Sequence, residues 1–532
     1  MSALTGTGAL VRLALRRDRL LLPIWFVALV GVTLSTGSGL KTLYGTVEAR
    51  RELTATADGN PAFLAMLGPL HDPSTIGGVL AWRWGVFGAL LIGLMSMFLV
   101  VRHTRAEEEA GRLELVGSAV VGRHASLAAA VLVVLAADVV IGLAVAGGLI
   151  GLDQQAAGAF AFGLGFTGVG WVFAGVGAVT AQLSESSRTA NSLSGGVLGL
   201  AYLLRAVGDA AGDRGPQWLT WLSPLGWFEQ GRPFAGDRWW VLLLPVALTA
   251  LLVASGAVLA TRRDIGAGLL ATRLGPARAS GSLAGAFGLA WRLQRGMVVG
   301  WTVAMFVLGA VYGAVARGVE DMLGSNASLA KIITAMGGAG KLVDVYLASI
   351  LGIIGLFSSI YVVTALLKAR SEETDLRVEP VLATPVTRTR WLASHAVFAV
   401  VGTAVVLAAA GLGAGLVHGL QTGDAGQVPR LVGAALAQLP AAWVVAGIAL
   451  ALFGLFPRVT AVSWAFLVMF LVLGQLGPVL GLDRWALDLS PFTHIPKVPG
   501  ADLTATPLVL LTAVALALGV AGFVGFRRRD LG

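Results

Sequence analysis

Apolar residues in this chain are gathered into long runs rather than spread in alternation. The runs lie near 20–38, 84–101, 128–151, 158–182, 189–206, 239–260, 297–316, 346–367, 392–417, 431–456, 459–480 and 506–526. Each is close to the length of about 20 residues that a helix needs to cross a bilayer. Backbone exposed to lipid must satisfy its hydrogen bonds within its own segment, so each run is expected to be helical. The pattern predicts an all-α polytopic membrane protein with about 12 transmembrane helices, arranged as two parallel six-helix repeats. The fifth run is short and glycine-rich and ends at Arg205. The longest polar stretches, 39–83, 207–238, 317–345 and 481–505, all fall on one predicted face. Within the third of these stretches, Gly340-Lys341 resembles the end of a phosphate loop, but Ala335 and Leu342 break the pattern.

Charge fixes the expected orientation. With both termini inside, 24 of the 38 Lys and Arg lie on the cytoplasmic face, as the positive-inside rule requires. The stretch ALVRLALRRDR (9–19) is basic and partly amphipathic, and is expected to lie along the inner surface before the first span. No small-residue cleavage site follows it, so it reads as part of an uncleaved first helix. The segment Trp221–Trp240 is aromatic and broken by proline, and is expected to dip back to the membrane surface without crossing.

Composition agrees: 56% of residues are hydrophobic and 13% charged, against about 25% charged in a soluble protein. The net charge of +9 is scattered through short loops, which argues for topology rather than nucleic acid binding. The chain has no cysteine, which excludes disulfides, thiolate metal sites and cysteine nucleophiles.

One stretch occurs twice. RAEEEAGRLELVGSAVVGR (105–123) aligns without a gap on RSEETDLRVEPVLATPVTR (370–388), 265 residues later. Arg105, Glu107, Glu108, Arg112, Glu114, Val116, Val121 and Arg123 recur as Arg370, Glu372, Glu373, Arg377, Glu379, Val381, Val386 and Arg388. Three further landmarks recur in the same order. LALRRDRLLLPIW (13–25) is matched by LAWRLQRGMVVGW (289–301). A Trp-x-x-x-Leu-Ser-Pro motif begins at Trp218 and again at Trp485, and Arg262-Arg263-Asp264 is echoed by Arg528-Arg529-Asp530. The chain therefore reads as a first repeat over 1–266, a cytoplasmic connector over 267–285 and a second repeat over 286–532.

Few residues stand out as chemistry. The repeated segments are expected to be surface helices with Glu108–Arg112 and Glu373–Arg377 pairs, each worth roughly 0.2–0.5 kcal/mol. Charges retained in both copies fit two docking helices for two equivalent cytoplasmic partners. Asp138 lies mid-span, where an acid costs about 2.5–3.5 kcal/mol; the plain reading is a buried carboxyl bonded to a neighbouring Ser, Thr or Arg. Its counterpart is Thr403. The six histidines sit singly, without metal-ligand spacing, and no Ser/His/Asp set or pair of carboxylates suggests an enzyme.

An N-terminal surface helix, six spans, an Arg-x-Glu-Glu segment after span 2 and a Ser-Pro segment before span 6 form a recognisable set. It resembles the permease subunit of type 2 ABC transporters. The duplicated form, with SPLGWFEQGRPFAGDRWW (223–240) and RRDIGAGLL (262–270), is similar to actinobacterial exporters of polyketide antibiotics and other drugs. The resemblance implies that Arg105–Glu114 and Arg370–Glu379 couple to two copies of an ABC-type ATP-binding subunit. ATP and magnesium would bind on that partner, with no cofactor in this chain. It also implies a pathway lined from spans 2, 5, 8 and 11, where Phe87, Met95, Phe98, Tyr202, Phe357, Tyr361, Phe466, Met469, Phe470 and Gln475 are the candidates. The expected activity is export of amphipathic or apolar drugs across the bacterial plasma membrane. Lipid export and a proton-coupled carrier of the 12-helix class are the alternatives. That carrier class has a short basic loop after span 2; here the loop carries four acids.

Overall fold

A computed structural model of the chain describes residues 2–57, 61–113, 118–210, 216–264, 266–270, 277–278, 280–283, 285–325, 339–476 and 483–529. The described residues are helical with connecting turns, as the all-α reading expected. They form two compact units, Met1–Gly275 and Pro276–Gly532.

The first unit contains α1 (Thr7–Arg17), α2 (Leu21–Leu43), α3 (Val47–Ala57), α4 (Pro61–Leu67), α5 (Ile76–His103) and α6 (Arg105–Glu109). It continues with α7 (Ala125–Gly151), α8 (Ala156–Leu183), α9 (Ser187–Ala210), α10 (Trp218–Trp221), α11 (Pro224–Gln230) and α12 (Leu243–Ala260). The second holds α13 (Ala286–Ser325), α14 (Ala339–Thr374), α15 (Val378–Leu382), α16 (Arg388–Thr422), α17 (Gln427–Leu436) and α18 (Leu439–Leu455), then α19 (Ser463–Leu471), α20 (Arg484–Leu487) and α21 (Ala505–Arg528).

Among the described residues, 11 helical segments are long and apolar enough to cross a membrane. The expected fifth span does not reach that standard; the other eleven do. A helix does stand there, α9, but Arg188, Asn191, Arg205 and Asp209 dilute its hydrophobicity. Its pattern is inverted relative to a soluble helix. Leu193, Val197, Leu200, Leu203 and Val207 are exposed, while Ser194 and Arg205 point inward and are fully buried. The Ser194 hydroxyl is 2.6 Å from that of Thr180 on α8. Averaging over the segment hides a helix whose polar groups face protein.

In the first unit, α8 is the hub, packed against α5, α7, α9 and α12. Helices in lipid gain no hydrophobic driving force from one another, so close packing through small residues takes its place. Gly142 of α7 and Gly163 of α8 meet backbone to backbone: a Cβ on Gly142 would stand 2.5 Å from the Gly163 carbonyl oxygen. Gly163→Leu is therefore expected to force α7 and α8 apart and to lower the unfolding temperature in detergent markedly. Gly147→Leu, where a Cβ meets nothing within 4 Å, serves as the control.

The aromatic segment does not cross, in keeping with the expectation. Ser223 caps α11 by accepting from the amides of Leu225 and Gly226, with Pro224 opening the helix. Phe228 and Phe234 then insert beside Phe162 and Phe166, with ring centroids 4.7 to 6.4 Å apart. In the second unit, α13 packs along α16 and α18 along α21, with α14 against both α16 and α18. Where the first unit turns at residues 18–20 between α1 and α2, the second runs α13 as one continuous helix.

Candidate functional site

The repeated Arg-x-Glu-Glu segments sit at the ends of α5 and α14, but neither is a free amphipathic helix. In the first unit α6 lasts five residues and ends at a left-handed turn, with Gly111 at φ 69°. In the second the helix runs on to Thr374, and Leu376 takes the left-handed turn at φ 58°. Glycine adopts that conformation freely and leucine does not, so Leu376, 62% exposed, is held there by its neighbours.

The expected Glu108–Arg112 and Glu373–Arg377 pairs do not form. Glu108 turns inward and accepts from Arg263 at 2.5 and 2.8 Å and from the Gly266 amide at 2.6 Å. Arg105 lies beside it at 3.3 Å, fully buried, donating to the carbonyls of Ala181 and Ala267. Arg112 instead pairs with Glu107 at 2.8 Å, and Arg17 of α1 reaches the same carboxylate. The second unit repeats the arrangement. Glu373 pairs with Arg529 at 2.9 Å and with Arg370 at 3.0 Å, while Glu372 takes Lys368 at 2.7 Å and Arg377 at 3.1 Å. Spacing along the helix favoured partners four residues apart; the low-dielectric helix end favours partners that complete a buried ion pair.

Arg263 and Arg529 are thus ion-pair partners that the spacing argument missed. The echo of Arg-Arg-Asp after each last span was the available signal. Arg123 and Arg388 strengthen the same junction, donating to the carbonyls of Thr261 and Arg529 at 2.5 and 2.7 Å. What remains outward is Glu109 to Arg112 in the first unit and, in the second unit, Thr374 to Arg377 with Glu379 and Pro380. Glu114 lies outside the described residues.

A second ion pair ties α1 to this end of the first unit. Asp18, fully buried, meets His103 at 2.5 Å and Arg102 at 3.2 Å. Burial opposes ionisation of Asp18, but His103 and Arg102 outweigh it and hold the carboxyl below its ordinary range. In the second unit Gln294, the counterpart of Asp18, lies 3.1 Å from His395 of α16 instead.

At the opposite end of the first unit Arg205 is completely buried. It donates to Glu229 of α11 at 2.8 Å, lies 3.4 Å from Asp209, and bonds the carbonyls of Ala65 and Met66. Tyr202 packs its ring under the guanidinium at 4.8 Å. This network fastens the Ser-Pro segment, α9 and α4 together. Arg205 and Asp209 stand at helical spacing, but Glu229 and the Ala65 carbonyl, 140 residues from Arg205, could not be read from the sequence.

Asp138 is fully buried on α7, as the plain reading expected. Ser96 Oγ stands 2.9 Å from its Oδ1 and 2.8 Å from the Ile92 carbonyl oxygen. Thr167 donates to the Asp138 backbone carbonyl, and Oδ2 has no partner. One hydroxyl proton cannot serve both contacts of Ser96, so an amide, which donates as well as accepts, fits the site. Asp138→Asn is expected to change unfolding stability by less than about 1 kcal/mol, whereas Asp138→Ala should cost about 1–3 kcal/mol. Asn that folds normally but stops transport would assign the carboxyl a part in transport itself. Thr403, its counterpart, bonds only its own helix, at the Ala399 carbonyl.

Within each unit the pathway candidates lie in different surroundings. Met95 is fully buried in the core of the first unit, with Tyr202 against it, while Phe87 packs near Trp82 and Leu67. Tyr361 is fully buried and donates to the Phe398 carbonyl at 2.6 Å, with Phe357 nearby in the same core. Phe466 and Phe470 meet with tilted rings in a smaller cluster. Phe98 and Met469 lie on the outer helix surfaces, and the Gln475 side chain falls outside the described residues. Among the described residues no group of three His, Cys, Asp or Glu is placed to hold a metal.

Comparison with known proteins places the chain. A family model described as the multidrug efflux system permease Rv1217c, C-terminal domain, matches residues 8–259 and 283–527. The multidrug efflux system permease protein Rv1217c of Mycobacterium tuberculosis (strain ATCC 25618 / H37Rv) is 45% identical over 533 residues, covering 100% of this chain and 96% of the relative. With the helical architecture and the paired charged junctions, these matches make the chain a member of the Rv1217c family of multidrug efflux system permeases.

Proposed function

We propose that this chain is the membrane-spanning permease of an ATP-driven ABC exporter of the type 2 class, moving amphipathic or apolar drugs out of a bacterial cell. ATP is hydrolysed by a separate subunit, two copies of which dock on the cytoplasmic face, one at each charged junction. The two units are the two copies of a duplicated six-helix repeat, and both termini are cytoplasmic.

The observation that carries this reading is the junction built in both units. Glu108–Arg263 and Glu373–Arg529 each clamp the segment after the second span to the end of the last span. A rigid clamp of this kind transmits a push on the exposed turn to two membrane helices at once. The family membership supports drugs as cargo, and the apolar character of the spans agrees with it.

The test is to purify the tagged chain gently from its native membranes and measure the stoichiometry of the nucleotide-binding protein that accompanies it. Two ATPase copies per chain are expected. No ATPase, with transport surviving on a proton gradient alone, would overturn the proposal in favour of a secondary carrier.

A further inference from the structure

The first unit carries a concavity of about 640 Å³ between α1, α2 and α7, and every residue lining it is apolar. Val11 and Leu15 form one wall, Pro23 and Phe26 another, and Leu132 and Ala136 the floor. Leu15 and Leu132 are each about half exposed, at 47% and 53%. The groove exists because the chain turns at residues 18–20, where buried Asp18 is held by His103 and Arg102. That turn lays α1 beside α7 instead of continuing α2.

The same short helix is strongly basic. Arg12 and Arg16 directly follow the lining residues Val11 and Leu15, and Arg19 is four residues beyond Leu15. All three are exposed, and none makes an ion pair among the described residues. Arg17, by contrast, is engaged by Glu107. An apolar groove of this size, walled by a helix and turn that carry three exposed arginines without ion-pair partners among the described residues, is complementary to one kind of molecule: long alkyl chains attached to a negatively charged head.

We propose that this groove is a binding site for an anionic phospholipid. Its acyl chain lies between α1, α2 and α7, and its phosphate is held by Arg12, Arg16 and Arg19. Apolar burial and charge act together here, as they do where basic helices meet anionic membrane surfaces. Neither Asp138 nor a residue of the charged junction lines the groove, and its occupancy does not depend on which energy source drives transport.

The test uses the full-length chain purified in detergent, delipidated, and offered phosphatidylglycerol or phosphatidylcholine with identical acyl chains. Retained lipid is counted by native mass spectrometry. Phosphatidylglycerol is expected to be retained at least tenfold better, and the triple substitution Arg12→Gln, Arg16→Gln, Arg19→Gln should remove that preference. Ala136→Trp, which fills the floor, should abolish retention while the arginines remain. Leu132→Phe provides a milder filling variant should the tryptophan prevent folding, as read by thermal unfolding. Equal retention of the two lipids overturns the proposal. So does phosphatidylglycerol binding that survives groove filling, and so does a filling variant that leaves lipid unchanged but splits an oligomer, since the groove would then belong to a second protein chain.

Discussion

Glu108→Gln is expected to destabilise the first unit by about 3–5 kcal/mol, the usual cost of removing one partner from a buried ion pair. The side chain is 2% exposed and Arg263 11% exposed, so little water can replace what is lost. Arg105, fully buried, loses its counter-charge at the same time. Thermal unfolding in detergent reads the effect. Replacing both partners, as in Glu108→Gln with Arg263→Met, should recover part of the loss, because Arg105 is then the one cation of the junction left without its carboxylate instead of two. Arg112→Gln, at a half-exposed side chain, should cost well under 1 kcal/mol. The second unit should behave alike at Glu373 and Arg529.

This separates folding from docking. Reversing Glu108 and Glu373 together is expected to detach the ATPase, with either alone leaving partial function. Because both carboxylates are buried, that loss would come through a disordered junction. Reversing the exposed Arg112 and Arg377 together should detach the ATPase with the unfolding temperature unchanged. Retained co-purification in that variant would move the docking surface elsewhere.

The second large effect is expected at Arg205→Met. Glu229 and Asp209 would be left near one another in a buried site without a cation, and the carbonyls of Ala65 and Met66 would lose their donor. A loss of about 3–5 kcal/mol follows from the uncompensated buried charge. It should be local: α4 and the segment around 45–75 should become susceptible to protease, while ATPase co-purification persists. Unchanged protease resistance would show that the network does not hold the outer segment. Among the described residues the second unit carries no such lock, and aligning the two Ser-Pro segments sets Pro496 opposite Glu229. The departure visible between SPLGWFEQG and SPFTHIPKV thus falls on a residue with a structural duty in one unit only.

By itself the sequence determined the all-helical membrane architecture and the positions of eleven spans, because twenty-residue apolar runs have one stable form in lipid. It also marked the two charged segments as related, and Asp138 as a buried acid with a hydroxyl neighbour. Only the tertiary structure decided which charges meet. Helix spacing offered Arg112 and Arg377 as partners for Glu108 and Glu373. The partners chosen, Arg263 and Arg529, come from more than 150 residues away, because a buried carboxylate is stabilised most by a cation that shares its burial. The same holds for α9, whose buried Ser194 and Arg205 count against it in any hydropathy average yet face protein. Linear patterns report how a segment meets solvent or lipid; contacts between distant segments are set by packing, which those patterns do not encode.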